Sequence, residues 1–309
     1  MWLWACPICR QPMRASDDAG RRMYCPSCGR EYPCVDGVWR MLPLERLEVF
    51  QQFIQEYEAV RRAEGRGSSD PAYYRALPER DLSGRWQRDW AIRARSYAAL
   101  VKWVIIPLEQ NQERALKILD LGAGNGWLSG RLAQRGHELA AVDLLTNAWD
   151  GLGAHIHYSV HFTPVQAEFD CLPFAEDQAD LVIFNASFHY SVDYRRSLGE
   201  ALRVLKAKGK VVILDSPWYS NGQSGEQMVR EREAQFLKRY SFPSNALPSR
   251  NYLTEERLID MAQHYDLRWR KVAPFYGIRW AFRPWLAQLR RHREPAQFYI
   301  WVGERSTLD

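Results

Sequence analysis

The sequence has no long hydrophobic run. Its longest apolar stretch, at 97–108, is interrupted by Lys102 and contains Pro107, so it falls well short of the roughly 20 apolar residues that a membrane-spanning helix requires. The N-terminus also has no basic start, long apolar stretch or small-residue cleavage site of a secretory signal. We therefore expect no transmembrane segment and a cytoplasmic location.

Low-complexity segments and internal repeats are also absent. With 46% apolar and 26% charged residues, the chain can bury a sizeable core. Its 309 residues suffice for one large domain and a small appendage, but not for three independent domains. The net charge of +5 excludes no class of partner.

Four of the six cysteines form two Cys-x-x-Cys pairs, Cys6/Cys9 and Cys25/Cys28, separated by fifteen residues. Two such turns can bring four thiolates to the corners of a tetrahedron around Zn²⁺, and a site with four thiolates has no open position for catalysis. Two disulfides or a redox-active pair are the alternatives. We interpret Cys34, six residues further on, as a free strand residue.

Residues 1–42 therefore predict a small β zinc ribbon. A ribbon of this size folds only with its metal. It could bind nucleic acid, bind a protein or support the neighbouring domain, and the sequence does not choose among these roles.

Residues 43–114 predict a helical linker that covers the cofactor or substrate. Apolar residues at helical spacing indicate a helix over 44–62, which a Gly/Ser stretch ends. A second helix is predicted over 85–106, ended by Pro107.

Beyond this linker, at 115–309, short apolar runs alternate with helical segments. This pattern predicts an α/β fold with a seven-stranded, Rossmann-like sheet and helices on both faces. The seven predicted strands are KILDLG, ELAAVDL, FTPVQAE, ADLVIFNAS, KVVILDS, LRWRKV and QFYIWVG.

The first of these strands leads into a glycine-rich turn, where Asp120 precedes Gly122, Gly124 and Gly126. Such glycines bring bare backbone amides to a ligand at a helix N-terminus. The dinucleotide fingerprint would need a further glycine where Trp127 stands, and an indole would obstruct a pyrophosphate. A cofactor with a cationic amino-acid end, such as S-adenosylmethionine, fits better.

An acid, Asp143, ends the second predicted strand. Its position about 20 residues after the glycine turn is that of a carboxylate that binds ribose hydroxyls. A structural turn without ligand and a nicotinamide-dependent dehydrogenase are the alternatives.

With these motifs, residues 115–216 resemble the class I S-adenosylmethionine-dependent methyltransferases, especially the branch that includes quinone-biosynthesis C-methyltransferases. The resemblance implies a cofactor site built from residues at the ends of four strands. Its members would be Asp120, Gly122, Gly124, Asn125 and Gly126 at the methionine end, Asp143 at the ribose, Leu144, Glu168 and Phe169 at the adenine, and Asn185 and Ala186 beside the transferred methyl group.

Two positions leave alternatives open. Glu168 stands where the family has Asp, so its longer arm or Asp170 could contact the adenine amine. His189 and Tyr190 lie where family members reach the substrate, and His189 is either a general base or a packing residue.

A lid insertion is expected at 217–252, with a helix over 226–240 and a hinge at Gly222 and Gly225. Trp218 and Tyr219 either form a substrate wall or pack in the core. We expect the helix around 86–97 to cover the cofactor from the other side.

The segment 275–293 interleaves aromatic residues with arginines. Three interpretations are open: a nucleic-acid face with stacking aromatics, a membrane-surface helix, or a connecting segment with packed aromatics and solvated arginines.

For the methyl acceptor, a small or lipid-like molecule is the first hypothesis and RNA the second. The ribbon, followed by VDGVWRMLP, also resembles the large-subunit ribosomal RNA guanine-N1 methyltransferases.

Overall fold

One continuous sheet of eleven strands organises the chain in this computed structural model, which describes residues 1–16, 20–112 and 114–306. A separate pair of short strands, β10 and β11, completes the set of described strands. The strands are β1 (Arg14–Ala15), β2 (Arg22–Tyr24), β3 (Glu31–Val35), β4 (Val38–Arg40), β5 (Lys117–Leu121), β6 (Glu138–Asp143), β7 (Thr163–Gln166), β8 (Ala179–Asn185), β9 (Leu205–Leu214), β10 (Trp218–Tyr219), β11 (Leu253–Thr254), β12 (Leu267–Val272) and β13 (Ile300–Arg305).

The sheet order is β1-β2-β3-β4-β7-β6-β5-β8-β9-β13-β12. Strands β4, β7, β6, β5, β8 and β9 run parallel, whereas β13 lies antiparallel between β9 and β12. Near-continuous apolar runs suit such strands because helices cover both faces of the sheet, and all seven residues of β8 are buried. The predicted α/β fold and its seven strands are confirmed.

The ribbon continues this sheet instead of standing apart from it. Strand β4 pairs in parallel with β7, with Trp39 opposite Val165. Trp4 of the ribbon packs between Trp39 and Phe174, with ring centroids 5.4 and 5.2 Å apart. The sequence predicted the ribbon's strands but not that they share a sheet and a core with the larger domain.

Ten α-helices are found in the described residues. They are α1 (Leu44–Ala63), α2 (Pro71–Ala76), α3 (Gln87–Leu100), α4 (Ile106–Asn111), α5 (Trp127–Gln134), α6 (Tyr194–Val204), α7 (Gly222–Tyr240), α8 (Glu255–Tyr265), α9 (Ile278–Ala281) and α10 (Arg283–Leu289). None of them is long and apolar enough to span a bilayer.

The second predicted helix does not end at Pro107. Helix α3 continues through a π-helical turn, Val101–Ile105, into α4, whose first turn contains Pro107. A proline is tolerated in a first turn because its missing N–H would have no intrahelical partner there.

The two faces of the sheet carry separate apolar cores. Side chains of α6, α8 and the ribbon fill one core, and side chains of α2 to α5 fill the other. The expected hinge at Gly222 and Gly225 is instead part of α7. A Cβ at Gly225 would lie 2.3 Å from the Tyr252 ring, so close packing explains this glycine.

Candidate cofactor and acceptor site

A cavity of about 420 Å³ opens at the carboxyl ends of β5, β6 and β8. Most of the residues predicted to bind the cofactor or substrate line its wall: Gly122, Gly124, Asp143, Leu144, Glu168, Phe169, Ala186 and Tyr190, together with the alternative Asp170. The others lie outside the wall: Asp120, Asn125, Gly126, Asn185 and His189.

The glycine turn adopts a backbone that other residues resist. Gly122, Gly124 and Gly126 have φ angles of +74°, +56° and +77°. A Cβ at Gly122 would lie 2.2 Å from the Ser187 Cβ, whereas one at Gly124 would meet nothing nearer than the Asp150 carbonyl at 3.9 Å. Gly124 therefore presents bare backbone to open cavity space, as a closely approaching ligand requires.

The Asp143 carboxylate braces this turn. Its two oxygens accept hydrogen bonds of 2.8 Å from the backbone N–H groups of Gly124 and Leu145. Burial raises the pKa of Asp143. Each carboxylate oxygen can accept a second hydrogen bond, so Asp143 can hold a diol at the cavity wall.

Asp120 lies beneath the turn, fully buried. Its Oδ2 accepts a 2.8 Å hydrogen bond from the Ser129 hydroxyl, while Oδ1 has no partner among the described residues. Burial raises the pKa of Asp120 to about 7. An acceptor without a partner at this depth fits a cofactor with an ammonium group at its methionine end.

Helix α1, which lies within the predicted covering segment 43–114, forms the ceiling of the cavity. Its lining residues recur at helical spacing: Arg46, Val49, Phe50, Phe53, Tyr57 and Arg61. No described residue of α3 lines this cavity, so the expected cover by 86–97 was wrong. The covering role of the linker belongs to the 44–62 helix, whose periodicity does not reveal which of its residues face the cavity.

Two ion pairs fasten the ceiling to the walls. Arg46 donates from Nε and Nη2 to the two oxygens of Glu168, at 2.7 and 2.6 Å. Arg61 pairs with the buried carboxylate of Asp150. Any ligand that hydrogen-bonds to Glu168 shares this carboxylate with Arg46.

A smaller chamber of about 140 Å³ adjoins the cavity and shares Phe53, Tyr57 and Tyr190 with it. Helix α7 contributes Phe236 and Arg232 to its wall. Arg232 donates to Asn251 Oδ1 at 2.9 Å, and its Nε–H has no partner among the described residues. The chamber thus combines aromatic walls with the guanidinium groups of Arg61 and Arg232.

His189 and Tyr190 have different surroundings. His189 lies outside both walls, with Nδ1 3.3 Å from the Ser216 hydroxyl. Burial, with smaller contributions from Arg232 and Arg93, lowers the pKa of His189 to about 3. The His189 ring is therefore a weak base. Tyr190, in contrast to His189, lines both cavities.

Trp218 and Tyr219 belong to the core. Both are buried in β10, which pairs with β11, and neither lines the two cavities described above. The structure favours the packing interpretation for them. The insertion instead contributes residues 246–248 to the main cavity.

The four predicted metal ligands converge. The Sγ atoms of Cys6, Cys9, Cys25 and Cys28 lie within 4.8 Å of one another. A Zn–S bond of about 2.3 Å places the sulfurs of a tetrahedral site about 3.8 Å apart, and the Cys6–Cys28 and Cys9–Cys25 distances are 3.6 and 3.4 Å. The donor set and spacing fit structural Zn²⁺. Cys34 is not part of this cluster.

Two families match separate parts of the chain. Residues 119–213 match the family described as methyltransferase domain, and residues 4–37 match the family described as Trm112p-like protein.

Among curated relatives, an uncharacterized methyltransferase of Mycobacterium tuberculosis is 29% identical over 158 residues, which cover 48% of this chain and 63% of the relative. A demethylmenaquinone methyltransferase of Thermus thermophilus is 29% identical over 143 residues, covering 43% and 62%. The chain thus spans less than two thirds of these relatives.

Among solved structures, the fold resembles a chain from the complex between the Haloferax volcanii Trm112 methyltransferase activator and a methyltransferase. The TM-score is 0.51 at 17% identity, over 74% of this chain and 93% of that one. The glycine turn, the sheet order and the two family matches agree with one another. The chain therefore combines a class I S-adenosylmethionine-dependent methyltransferase domain with an N-terminal Trm112p-like zinc ribbon.

Proposed function

We propose that this protein transfers the methyl group of S-adenosylmethionine to a small or lipid-like acceptor. The observation that carries the proposal is the aromatic chamber beside the main cavity, which shares Phe53, Tyr57 and Tyr190 with it. A chamber of about 140 Å³ with aromatic walls has room for the head of a small molecule.

The sulfonium of the cofactor supplies an activated methyl group and its leaving group, so the protein mainly positions and desolvates the acceptor. Gly122 and Gly124 would allow the methionine end to approach the backbone, and Asp143 would accept from the ribose hydroxyls. Asp120, in its carboxylate form, would add negative charge for the ammonium. Phe53 and Tyr57 would exclude water from the site.

Within this proposal, Tyr190 is the residue best placed to orient the acceptor. It faces both cavities, and its ring lies 5.9 and 6.1 Å from those of Phe53 and Tyr57. Arg232 places its positive charge at the chamber wall, next to an oxygen of a bound acceptor. A phenolic or enolic oxygen that gains negative charge would be stabilised there.

For the ribbon, the contacts favour the supporting role. Backbone hydrogen bonds join Ala5 N–H to the Pro173 carbonyl at 3.1 Å and Ala175 N–H to the Leu3 carbonyl at 2.9 Å. Pro173 and Ala175 belong to the loop between β7 and β8. Near its start, this loop contributes Glu168 and Phe169 to the cavity wall. We therefore propose that the ribbon fixes the adenine side of the site.

The test of the acceptor class is transfer of radiolabelled methyl groups from S-adenosylmethionine to a cell extract, followed by separation of RNA from organic-soluble material. We expect label in the organic fraction with the wild type and none with Gly124→Arg, whose side chain would occupy the cavity. Label confined to RNA would support the alternative, an RNA methyltransferase.

The cofactor site has its own test, independent of the acceptor. Asp143→Ala should weaken S-adenosylmethionine binding by at least about tenfold in calorimetry, because it removes both the diol acceptor and the brace of the glycine turn. Glu176→Ala, at an exposed acid in the same domain, is the matched control. Equal affinities of the two variants would place the cofactor elsewhere.

A further inference from the structure

An apolar stripe lies exposed on the segment that precedes β13. It consists of Phe275, Ile278, Phe282, Trp285, Leu286 and Leu289. The exposed fractions of these side chains range from 38% to 73%. Large contiguous apolar surface of this kind marks an interaction site more often than a solvated surface.

Helical spacing places the stripe on one side of α9 and α10. Ile278, Phe282 and Leu286 follow one another at intervals of four, and Trp285 and Leu289 do the same. The sequence left open whether these aromatics pack inward. The structure shows that Tyr276 does, since it is buried and its hydroxyl lies 2.8 Å from the Ser96 hydroxyl.

Positive charge flanks the stripe without acidic compensation. No Asp or Glu occurs between residues 267 and 293. Arg279, Arg290 and Arg291 are exposed, and no described acidic residue pairs with them. A surface that joins apolar side chains to unpaired arginines complements anionic headgroups above an acyl layer.

We propose that this stripe and its arginines dock the protein onto an anionic lipid bilayer. The aliphatic members Ile278, Leu286 and Leu289 favour lipid over nucleic acid, because they cannot stack on bases as aromatic rings do. A second copy of the chain would bring like charges together, which disfavours a self-complementary interface.

Two contacts fix the segment that carries the stripe to α3 and α7. Arg95 of α3 donates to the Tyr276 carbonyl oxygen. Arg293 donates to Glu231 of α7 at 2.7 Å, directly beside the chamber residue Arg232. Docking would therefore place the helix that lines the acceptor chamber near the bilayer surface.

The test is co-sedimentation of the full chain with vesicles of phosphatidylglycerol and phosphatidylcholine, compared with pure phosphatidylcholine vesicles. We expect binding to the anionic vesicles only, weakened by salt. Trp285→Ser/Leu289→Ser and Arg290→Glu/Arg291→Glu should each lower the partition coefficient by at least about tenfold. These side chains are exposed, so the variants should keep the wild-type circular dichroism.

Ile156→Ser and Arg14→Glu remove an equally exposed apolar residue and an exposed arginine elsewhere, and they should bind as the wild type does. Absence of binding to anionic vesicles, or equal losses in these controls, would overturn the proposal. Retention of single-stranded RNA that the stripe variants lose, without vesicle binding, would also overturn it. The assay needs no methyl transfer, so its result does not depend on the proposed acceptor.

Discussion

Arg46 donates hydrogen bonds to both carboxylate oxygens of Glu168, which lies 122 residues further along the sequence. The pair joins the ceiling helix α1 to the loop that the ribbon supports. Glu168 is buried, whereas Arg46 keeps about a third of its side chain exposed. Without the guanidinium, the Glu168 carboxylate would be buried with no partner, whereas the Arg46 guanidinium could still be hydrated without the carboxylate.

Arg46→Ala should lower the free energy of unfolding by about 1–3 kcal/mol, because it leaves a buried carboxylate without its partner. The same substitution should weaken S-adenosylmethionine binding, since α1 loses its attachment to the cavity wall. Urea unfolding and calorimetry measure the two effects. Arg30→Ala, which breaks an exposed pair with Glu45, should cost less than about 1 kcal/mol. Similar losses in both variants would contradict a special role for Arg46.

Gly124→Ala and Gly122→Ala should separate binding from folding. At Gly124 a methyl group has room, so stability should fall by only about 1 kcal/mol from the positive φ, while S-adenosylmethionine affinity falls more steeply. At Gly122 the methyl group collides with Ser187, and the loss should be about 3 kcal/mol. Thermal unfolding of Gly122→Ala/Ser187→Gly should show partial recovery. No recovery would mean that backbone strain, not the contact, sets the cost.

The ribbon should carry one Zn²⁺ per chain by metal analysis. Cys25→Ser should lose the metal and lower the melting temperature of the whole chain in a single transition, since ribbon and domain share one core. Cys34→Ser is the matched control, because Cys34 lies outside the cluster, and it should retain the metal. Two separate transitions in Cys25→Ser would show that the ribbon folds independently.

Burial of Asp120 predicts a pH dependence. Its folded pKa of about 7 lies above that of an unfolded chain, so the folded state binds the proton more tightly. The contribution of Asp120 to stability is then fully present below the unfolded pKa and is lost as the pH rises through about 7. Binding of a cationic ligand has the opposite sign, because it favours the carboxylate.

S-adenosylmethionine affinity should therefore increase between about pH 6 and about pH 8 in the wild type, and this increase should disappear in Asp120→Asn. Calorimetry at a series of pH values measures both proteins. An unchanged pH profile in Asp120→Asn would assign the titration to another group.

The sequence predicted which segments form strands better than it predicted which strands pair with each other. A short apolar run such as ADLVIFNAS is typical of a strand that is covered on both faces, as β8 is. The pairing of β4 with β7 rests on two residue pairs between segments 126 residues apart, and no local pattern encodes it.

The residues of the site also divide into those that the local sequence identifies and those that it does not. Asp143 and the glycine turn could be identified because their backbone geometry demands particular residues. Phe53 and Tyr57 could not, because an aromatic residue on a helix face looks the same whether it covers a cavity or a core. His189 could be located from the sequence, but its basicity could not be predicted. Burial lowers the pKa of His189, and the sequence does not report burial.

The join between β4 and β7 also has a consequence for assembly. An edge strand exposes unpaired backbone groups that invite another chain to add to the sheet. Here the chain's own ribbon occupies that edge of the domain, with Met41 N–H donating to the Gln166 carbonyl at 2.9 Å beyond the last strand pair. The β4–β7 pairing therefore engages backbone groups of β7 that a strand of another chain could otherwise use.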